Sequence, residues 1–260
     1  MTAEEKTTLA RFLDLAGDYI KDGHVRNRDE YAFEDDAAPL PAEAEAPRAF
    51  SSLPLAYQMD EDEDDSAPSN SLADIAAAIA NCKACALAAT RTRAVAGEGV
   101  ENPLVMVIGE GPGADEDASG RPFVGKAGQL LDKMLASIGL FRDKNCYIAN
   151  MVKCRPPGNR DPEPGEIAEC IHFLEQQITL LRPRVLLCAG RVAAQSLLKT
   201  GQGINALRGT PAEFTLSGGG AIPVICTFHP SAILRDESLK RPAWEDLKLL
   251  RFHLDSLNEE

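Results

Sequence analysis

Three glycines and a carboxylate share one short stretch, "GEGPGADED" at residues 109–117, directly after the apolar run "LVMVI" at 104–108. Gly109, Gly111 and Gly113 would let backbone approach a ligand closely, as phosphate-cradling loops do. Yet Glu110 sits inside that loop, where a phosphate would meet like charge. The stretch also lacks GxGxxG or GxxxxGK[ST] spacing and has no lysine for a terminal phosphate. It therefore predicts a ligand that accepts close backbone and gains from a carboxylate. Three further residues supply matching chemistry: Phe123 in "SGRPFVGKAG", Asn150 opening "NMVKCRPPGNRDP", and His229 in "FHPSAILR". A planar heterocycle uses all four. The aromatic ring stacks on its face, and the carboxamide reads a Watson–Crick edge with one donor and one acceptor. The imidazole donates to an oxygen that gains charge as the base departs. The carboxylate steadies a developing sugar cation and orients or deprotonates a water.

Each residue also has a plainer reading. Glu110 could favour a helix N-terminus, Asn150 a turn, His229 a loop hydrogen bond, and Phe123 the core. What favours chemistry is their joint position at the ends of successive strands. The cysteines add a second constellation. Cys82 and Cys85 form a CxxC in "NCKAC", Cys154 follows Asn150 by four residues, and Cys170 lies within a helical pattern. Four thiolates so arranged suit a [4Fe–4S] cluster or a Cys₄ zinc site, and the single CxxC favours iron–sulfur over a two-knuckle zinc ribbon. Cys146, Cys188 and Cys226 fall in or beside apolar strands and read as small core residues.

The elements that must hold these groups alternate β and α. Apolar runs at 104–108, 146–149, 184–188 and 222–227 read as strands. Helical periods lie near 72–81, 126–138, 164–181, 190–199 and 242–256, with Asn70 or Ser71 as the first N-cap. Continuous apolar strands separated by helices predict a four-stranded, mainly parallel sheet in a three-layer α/β/α body, with ligands at the carboxyl ends of the strands. That body is expected over 71–260. Residues 1–70 read as a separate extension: an amphipathic helix over 3–20, with Leu9, Phe12, Leu13, Ala16 and Tyr19 on one stripe, then an acidic disordered linker. The helix is a candidate docking element for a protein partner.

Net charge is −13, but the extension carries 18 acidic and 6 basic residues, so the remaining 190 residues are nearly neutral. Overall acidity therefore does not exclude a nucleic-acid partner. No signal segment or membrane-length apolar run is present, so a cytoplasmic protein is expected. In that compartment cysteine clusters point to metal or catalysis rather than disulfides.

With these residues assembled, the chain over about 71–255 resembles the family 4 uracil-DNA glycosylases, the iron–sulfur type. The resemblance rests on "GEGPGADED", "GRPFVGKAGQLLD", "NMVKCRPPGNRDP" and "FHPSAILR" in order, together with the four cysteines. It implies the uracil-DNA glycosylase fold, a structural [4Fe–4S] cluster on Cys82, Cys85, Cys154 and Cys170, and release of uracil from DNA to leave an abasic site. Glu110 and His229 correspond to the catalytic residues, Phe123 to the stacking aromatic and Asn150 to the base reader. Gly109 and Gly111 belong to the substrate loop. Glu110 separates the chain from family 5 relatives, whose first motif lacks a carboxylate. The expected partner is uracil-containing DNA, single- or double-stranded, bound by a monomer. Ser231, Arg235 and Arg155 are candidate phosphate contacts, with Arg121, Lys126, Lys153, Arg160 and Arg208 as further cations. Cleavage is expected to be monofunctional, since the four motifs present no obvious amine nucleophile. The rival class, an iron–sulfur electron carrier or silent damage binder, needs no Glu/Asn/His convergence in the first case and lacks only turnover in the second.

Overall fold

The computed structural model of the chain describes residues 71–216 and 219–257. The amphipathic helix and acidic linker expected over 1–70 lie outside the described residues. Six strands form one sheet: β1 (Glu98–Gly99), β2 (Val105–Gly109), β3 (Cys146–Asn150), β4 (Val185–Ala189), β5 (Ala212–Thr215) and β6 (Ala221–Thr227). The spatial order is β1-β3-β2-β4-β6-β5. The four expected strands are the central four and run parallel, while β1 and β5 add antiparallel edges. Both edges escape the sequence pattern for a physical reason. β1 has two residues, one a glycine, and β5 is half-exposed, so neither shows the continuous apolar run of a central strand.

Helices cover the sheet. They are α1 (Leu72–Asn81), α2 (Ala114–Ser119), α3 (Lys126–Ala136), α4 (Pro164–Leu181), α5 (Arg191–Leu198), α6 (Ile204–Leu207), α7 (Pro230–Arg235) and α8 (Lys240–Ser256). Every residue of β2, β3 and β4 is buried, as a sheet covered on both faces requires. Met106, Ile108, Leu186 and Cys188 pack with Leu174, Ile178 and Leu181 of α4 and with Ala193 and Leu197 of α5. On these strands alternate residues such as Val107 and Leu187 face the other layer. Ser71 caps α1 through a reciprocal box with Asp74, and Pro164 opens α4 at a position where its missing N–H costs nothing.

The order of crossovers fixes where a ligand can sit. β2 connects to β3 on one side, and the chain then crosses back to β4 on the other. The strand order thus reverses between β2 and β4, which opens a crevice beyond their carboxyl ends. Register aligns the groups across it: Gly109 pairs with Asn150, and Ala189 with Thr227.

The start of α3 closes tightly on the loop before it. A Cβ on Gly128 would lie 1.9 Å from the carbonyl oxygen of Phe123. Alanine gains about 1 kcal/mol over glycine in a helix interior, but overpacking against rigid backbone costs about 1–3 kcal/mol and more in severe cases. Net of that gain, Gly128→Ala should destabilise the body by up to about 2 kcal/mol and lower the thermal midpoint by about 2–4 °C for each kcal/mol lost. A raised midpoint would show that helix propensity outweighs the clash.

Candidate active site

A cleft of about 560 Å³ occupies the crevice, lined among others by Glu110, Gly111, Phe123, Asn150, Arg191 and His229. The carboxylate, the aromatic ring, the carboxamide and the imidazole singled out in the sequence therefore share one cavity.

Two loops bring in Glu110 and Phe123, and a single side chain ties them together. The carboxylate of Glu116, on α2, accepts N–H bonds from Gly113 (3.0 Å), Val124 (2.8 Å) and Gly125 (2.9 Å). On the far side, Arg142 donates to the carbonyls of Pro122 (3.0 Å) and Phe123 (2.9 Å) and is itself held by Asp132 (2.8 Å). These bonds hold Phe123 at φ +52°, a left-handed conformation that is uncommon for a bulky residue. Its ring lies over Gly109, where a Cβ would come within 2.5 Å of the ring and 2.4 Å of Asn150 Oδ1. Only glycine leaves room for both. The sequence reading missed Glu116 and Arg142. Nothing in the acidic run at 115–117 sets Glu116 apart from its neighbours, and nothing local to Arg142 marks a partner some twenty residues earlier.

Asn150 closes β3 and is 1 % exposed. Its Oδ1 finds no hydrogen-bond partner among the described residues. A buried acceptor left unpaired costs about 1–3 kcal/mol, and this one belongs to a residue that lines the cleft.

His229 is the N-cap of α7. Its Nδ1 accepts from the backbone N–H of Ser231 (3.2 Å) and lies 2.8 Å from the Ser231 hydroxyl. With Nδ1 accepting from an amide, the ring proton of the neutral form sits on Nε2, the other edge. Burial, and then the charge of Arg235, push the imidazole pKa down to about 4. The ring is therefore a neutral donor at physiological pH. It stands 5.7 Å from the Phe123 ring, centroid to centroid. Gly190, at φ +100°, permits this: a Cβ there would meet the Cβ of His229 at 2.8 Å.

Glu110 responds to the same burial with the opposite sign. Desolvation first, and then the nearby Asp161, raise its pKa to about 7, with Arg191 and Arg235 opposing. Asp161 and Arg191 form an ion pair at the cleft wall. Among the candidate phosphate contacts, Ser231 and Arg235 line the cleft and Arg235 is exposed. Arg155 is half-exposed, donates to Asn159 (2.8 Å) and lies outside the cleft lining. Two further cations are corrected. Lys153 is buried, with its ammonium on Asn150 and Gln177, and Arg208 is engaged by the wholly buried Asp246 at 2.9 Å. Both turn to buried acceptors, Lys153 wholly inside and Arg208 partly exposed, which sequence position alone does not reveal. Arg121 forks onto Glu98, at 2.8 and 2.7 Å.

The second constellation also assembles. Cys82, Cys85, Cys154 and Cys170 line one small cavity with Arg91, Lys153 and Phe173. Arg91 donates to Cys154 Sγ (2.9 Å), and the Lys153 backbone N–H points at Cys170 Sγ (3.3 Å). Burial pushes the Cys170 thiol up to about 11 and raises Cys154 as well, the neighbouring cysteines adding to both. No group of His, Cys, Asp and Glu among the described residues forms a recognisable site for a single metal ion. Cys146, Cys188 and Cys226 are buried within β3, β4 and β6. No helix among the described residues is long and apolar enough to cross a membrane.

Residues 96–248 match the family described as "Uracil DNA glycosylase superfamily". A type-4 uracil-DNA glycosylase from Archaeoglobus fulgidus is 42% identical over 182 residues, covering 68% of this chain and 90% of the relative. Another from Thermotoga maritima is 43% identical over 173 residues, covering 65% and 88%. A third, from Sulfurisphaera tokodaii, is 40% identical over 187 residues, 70% and 84% of the two chains. The chain belongs to the uracil-DNA glycosylase superfamily and, within it, groups with the type-4 enzymes.

Proposed function

We infer that the cleft receives a deoxyuridine flipped out of DNA and hydrolyses its N-glycosidic bond, releasing uracil and leaving an abasic site. The family is a hydrolase family acting on N-glycosyl bonds in DNA repair, and DNA is its substrate. The division of labour among the residues is our reading of the geometry. The observation that carries it is Asn150 Oδ1, a buried acceptor with no partner among the described residues, beside an aromatic ring. Uracil offers N3–H as donor and O4 as acceptor on one edge, which one carboxamide can satisfy in full. Phe123 supplies the stacking face.

Cleavage sends the bonding pair onto the departing uracil and leaves positive charge on the sugar. His229, neutral and protonated at Nε2, donates to a uracil carbonyl oxygen as that charge develops. Glu110 as carboxylate opposes the sugar cation and accepts a proton from the water that attacks C1′. Flipping costs a few kcal/mol. Helix α7, with Ser231 and Arg235, is placed to contact the strand, and Arg155 extends the cationic surface. Such contacts position the DNA without reading its sequence.

The cysteine cavity suits a [4Fe–4S] cluster, with Cys82, Cys85, Cys154 and Cys170 as ligands. Buried thiolates need nearby positive charge, which cluster iron supplies directly, with Arg91 and Lys153 beside it. When bound, the cluster cross-links the end of α1, the segment after β3 and α4. Cys85→Ser or Cys170→Ser should lower iron content and soluble yield together. Stoichiometric zinc without iron in anaerobically purified protein would overturn the cluster reading.

The protonation states make a signed prediction. Glu110 must be ionised to act, and its pKa is about 7. His229 is already neutral above its pKa of about 4. Excision measured as kcat/KM should therefore rise from pH 5.5 to a plateau near pH 8, with no fall that tracks histidine deprotonation. Glu110→Gln should flatten the rise and cut single-turnover excision by roughly 100-fold or more, as His229→Ala should at the plateau. Affinity for undamaged DNA should hardly move in either variant. A Glu110→Gln enzyme within threefold of the parent would remove Glu110 from the mechanism.

A further inference from the structure

A lysine is the most conspicuous polar group in the interior. Lys153 is 1 % exposed and is one of the largest fully buried side chains. Its ammonium donates to the backbone carbonyl of Asn150 (3.0 Å) and to Gln177 Oε1 (2.7 Å). The other end of that amide, Gln177 Nε2, donates to Ala96 O (2.8 Å) and reaches Tyr147 OH (3.3 Å).

The backbone around Asn150 explains what the ammonium does. Beyond β3 the chain stays tied to the substrate loop, with Met151 N on Gly109 O (2.9 Å) and Val152 N on Glu110 O (3.1 Å). In a parallel ladder successive residues present their N–H and C=O to opposite sides. Since Met151 faces β2, the Asn150 carbonyl faces away from it, toward β1. That strand last pairs at Ile148, so no strand amide reaches the Asn150 carbonyl. The chain of the same edge rejoins only at Val95, whose N–H meets Lys153 O (2.8 Å). Lys153 Nζ fills this gap and stands in for the missing strand. Gln177, from α4, fixes the ammonium and the neighbouring segment at once.

We propose that Lys153, held by Gln177, is a positioning residue that locks the backbone of Asn150 and so sets where its carboxamide enters the cleft. The inference rests on the reading of Asn150 as the base reader. Without the ammonium, the Asn150–Met151 peptide is held from one side only, through Met151 N on Gly109 O, and a carboxamide displaced by about an ångström no longer meets a base edge squarely. Lys153 also borders the cysteine cavity, but its two hydrogen bonds go to Asn150 and Gln177.

The test uses full-length Lys153→Met, Gln177→Met and the double variant, all near-isosteric and uncharged. Inhibition by free uracil, the kcat and KM of excision, and affinity for undamaged DNA are measured on each, with visible absorbance as a control for the metal centre. Lys153→Met should weaken uracil inhibition and raise KM by tenfold or more, while undamaged-DNA affinity stays within twofold. Gln177→Met should move the same way, and the double variant should be no worse than Lys153→Met within about threefold, because the two act as one unit. Uracil inhibition within twofold of the parent in a folded Lys153→Met protein overturns the proposal. So does a parallel fall of uracil and undamaged-DNA affinity, the mark of general loosening. Should Lys153→Met fail to fold, unchanged uracil inhibition in Gln177→Met has the same force. Asn150→Ala separates the layers: if it keeps uracil inhibition, the base-reader assignment itself falls. If it loses inhibition while Lys153→Met does not, only the lock falls.

Discussion

The parallel register of β2 on β3 and of β4 on β6 is the constraint from which the cleft follows. Gly109 opposite Asn150 puts the substrate loop beside the carboxamide, and Ala189 opposite Thr227 puts Gly190 against His229. A slip of one residue in either ladder would turn each side chain to the other face of the sheet. Both faces of these strands are close-packed, so such a slip would put side chains of the wrong shape into each layer. Packing in the core thus fixes, through backbone hydrogen bonds, the relative positions of groups that never touch each other in sequence.

Burial then sets the charge state of the cleft. The same desolvation that raises the carboxyl of Glu110 lowers the imidazole of His229, so at neutral pH the first is poised between its forms and the second carries no charge. The two shifts suit a reaction that develops positive charge on one side of a bond and negative charge on the other. A neutral donor toward the leaving group adds no second cation beside a sugar already becoming one. The Ser231 amide matters here as much as the ring, because it settles which nitrogen holds the proton.

Much of this was legible in the sequence, and what was not has an identifiable cause. The four central strands and the five longer helices follow from periodicity. Glu110, Phe123, Asn150 and His229 were found because each follows an apolar strand or a glycine turn, and the four cysteines because of one CxxC and its partners. The edge strands, α2, α6 and the helical turn of α7 are too short for a period to register. Lys153 was misjudged as a phosphate contact, since a lysine next to a metal-type cysteine looks the same in sequence whether its ammonium reaches solvent or a buried carbonyl. Glu116 and Arg142 act on backbone atoms of another loop, and a backbone acceptor leaves no residue type to recognise. The extension over 1–70 lies outside the described residues, so its reading remains one of composition.

The left-handed backbone of Phe123 has a thermodynamic consequence for recognition. Arg142, Glu116 and the Gly128 contact all hold the main chain that carries its ring, and the ring itself is buried before any base arrives. The strain of that conformation, of the order of 1–3 kcal/mol, is met once, during folding. Ordering a free aromatic side chain at each encounter would instead cost about 0.5–1.5 kcal/mol every time a base entered. On the proposed reading, a base entering the cleft meets a stacking ring that is already buried and backed by fixed main chain, so more of the attraction of the stack is left to offset the work of unstacking the base from the duplex.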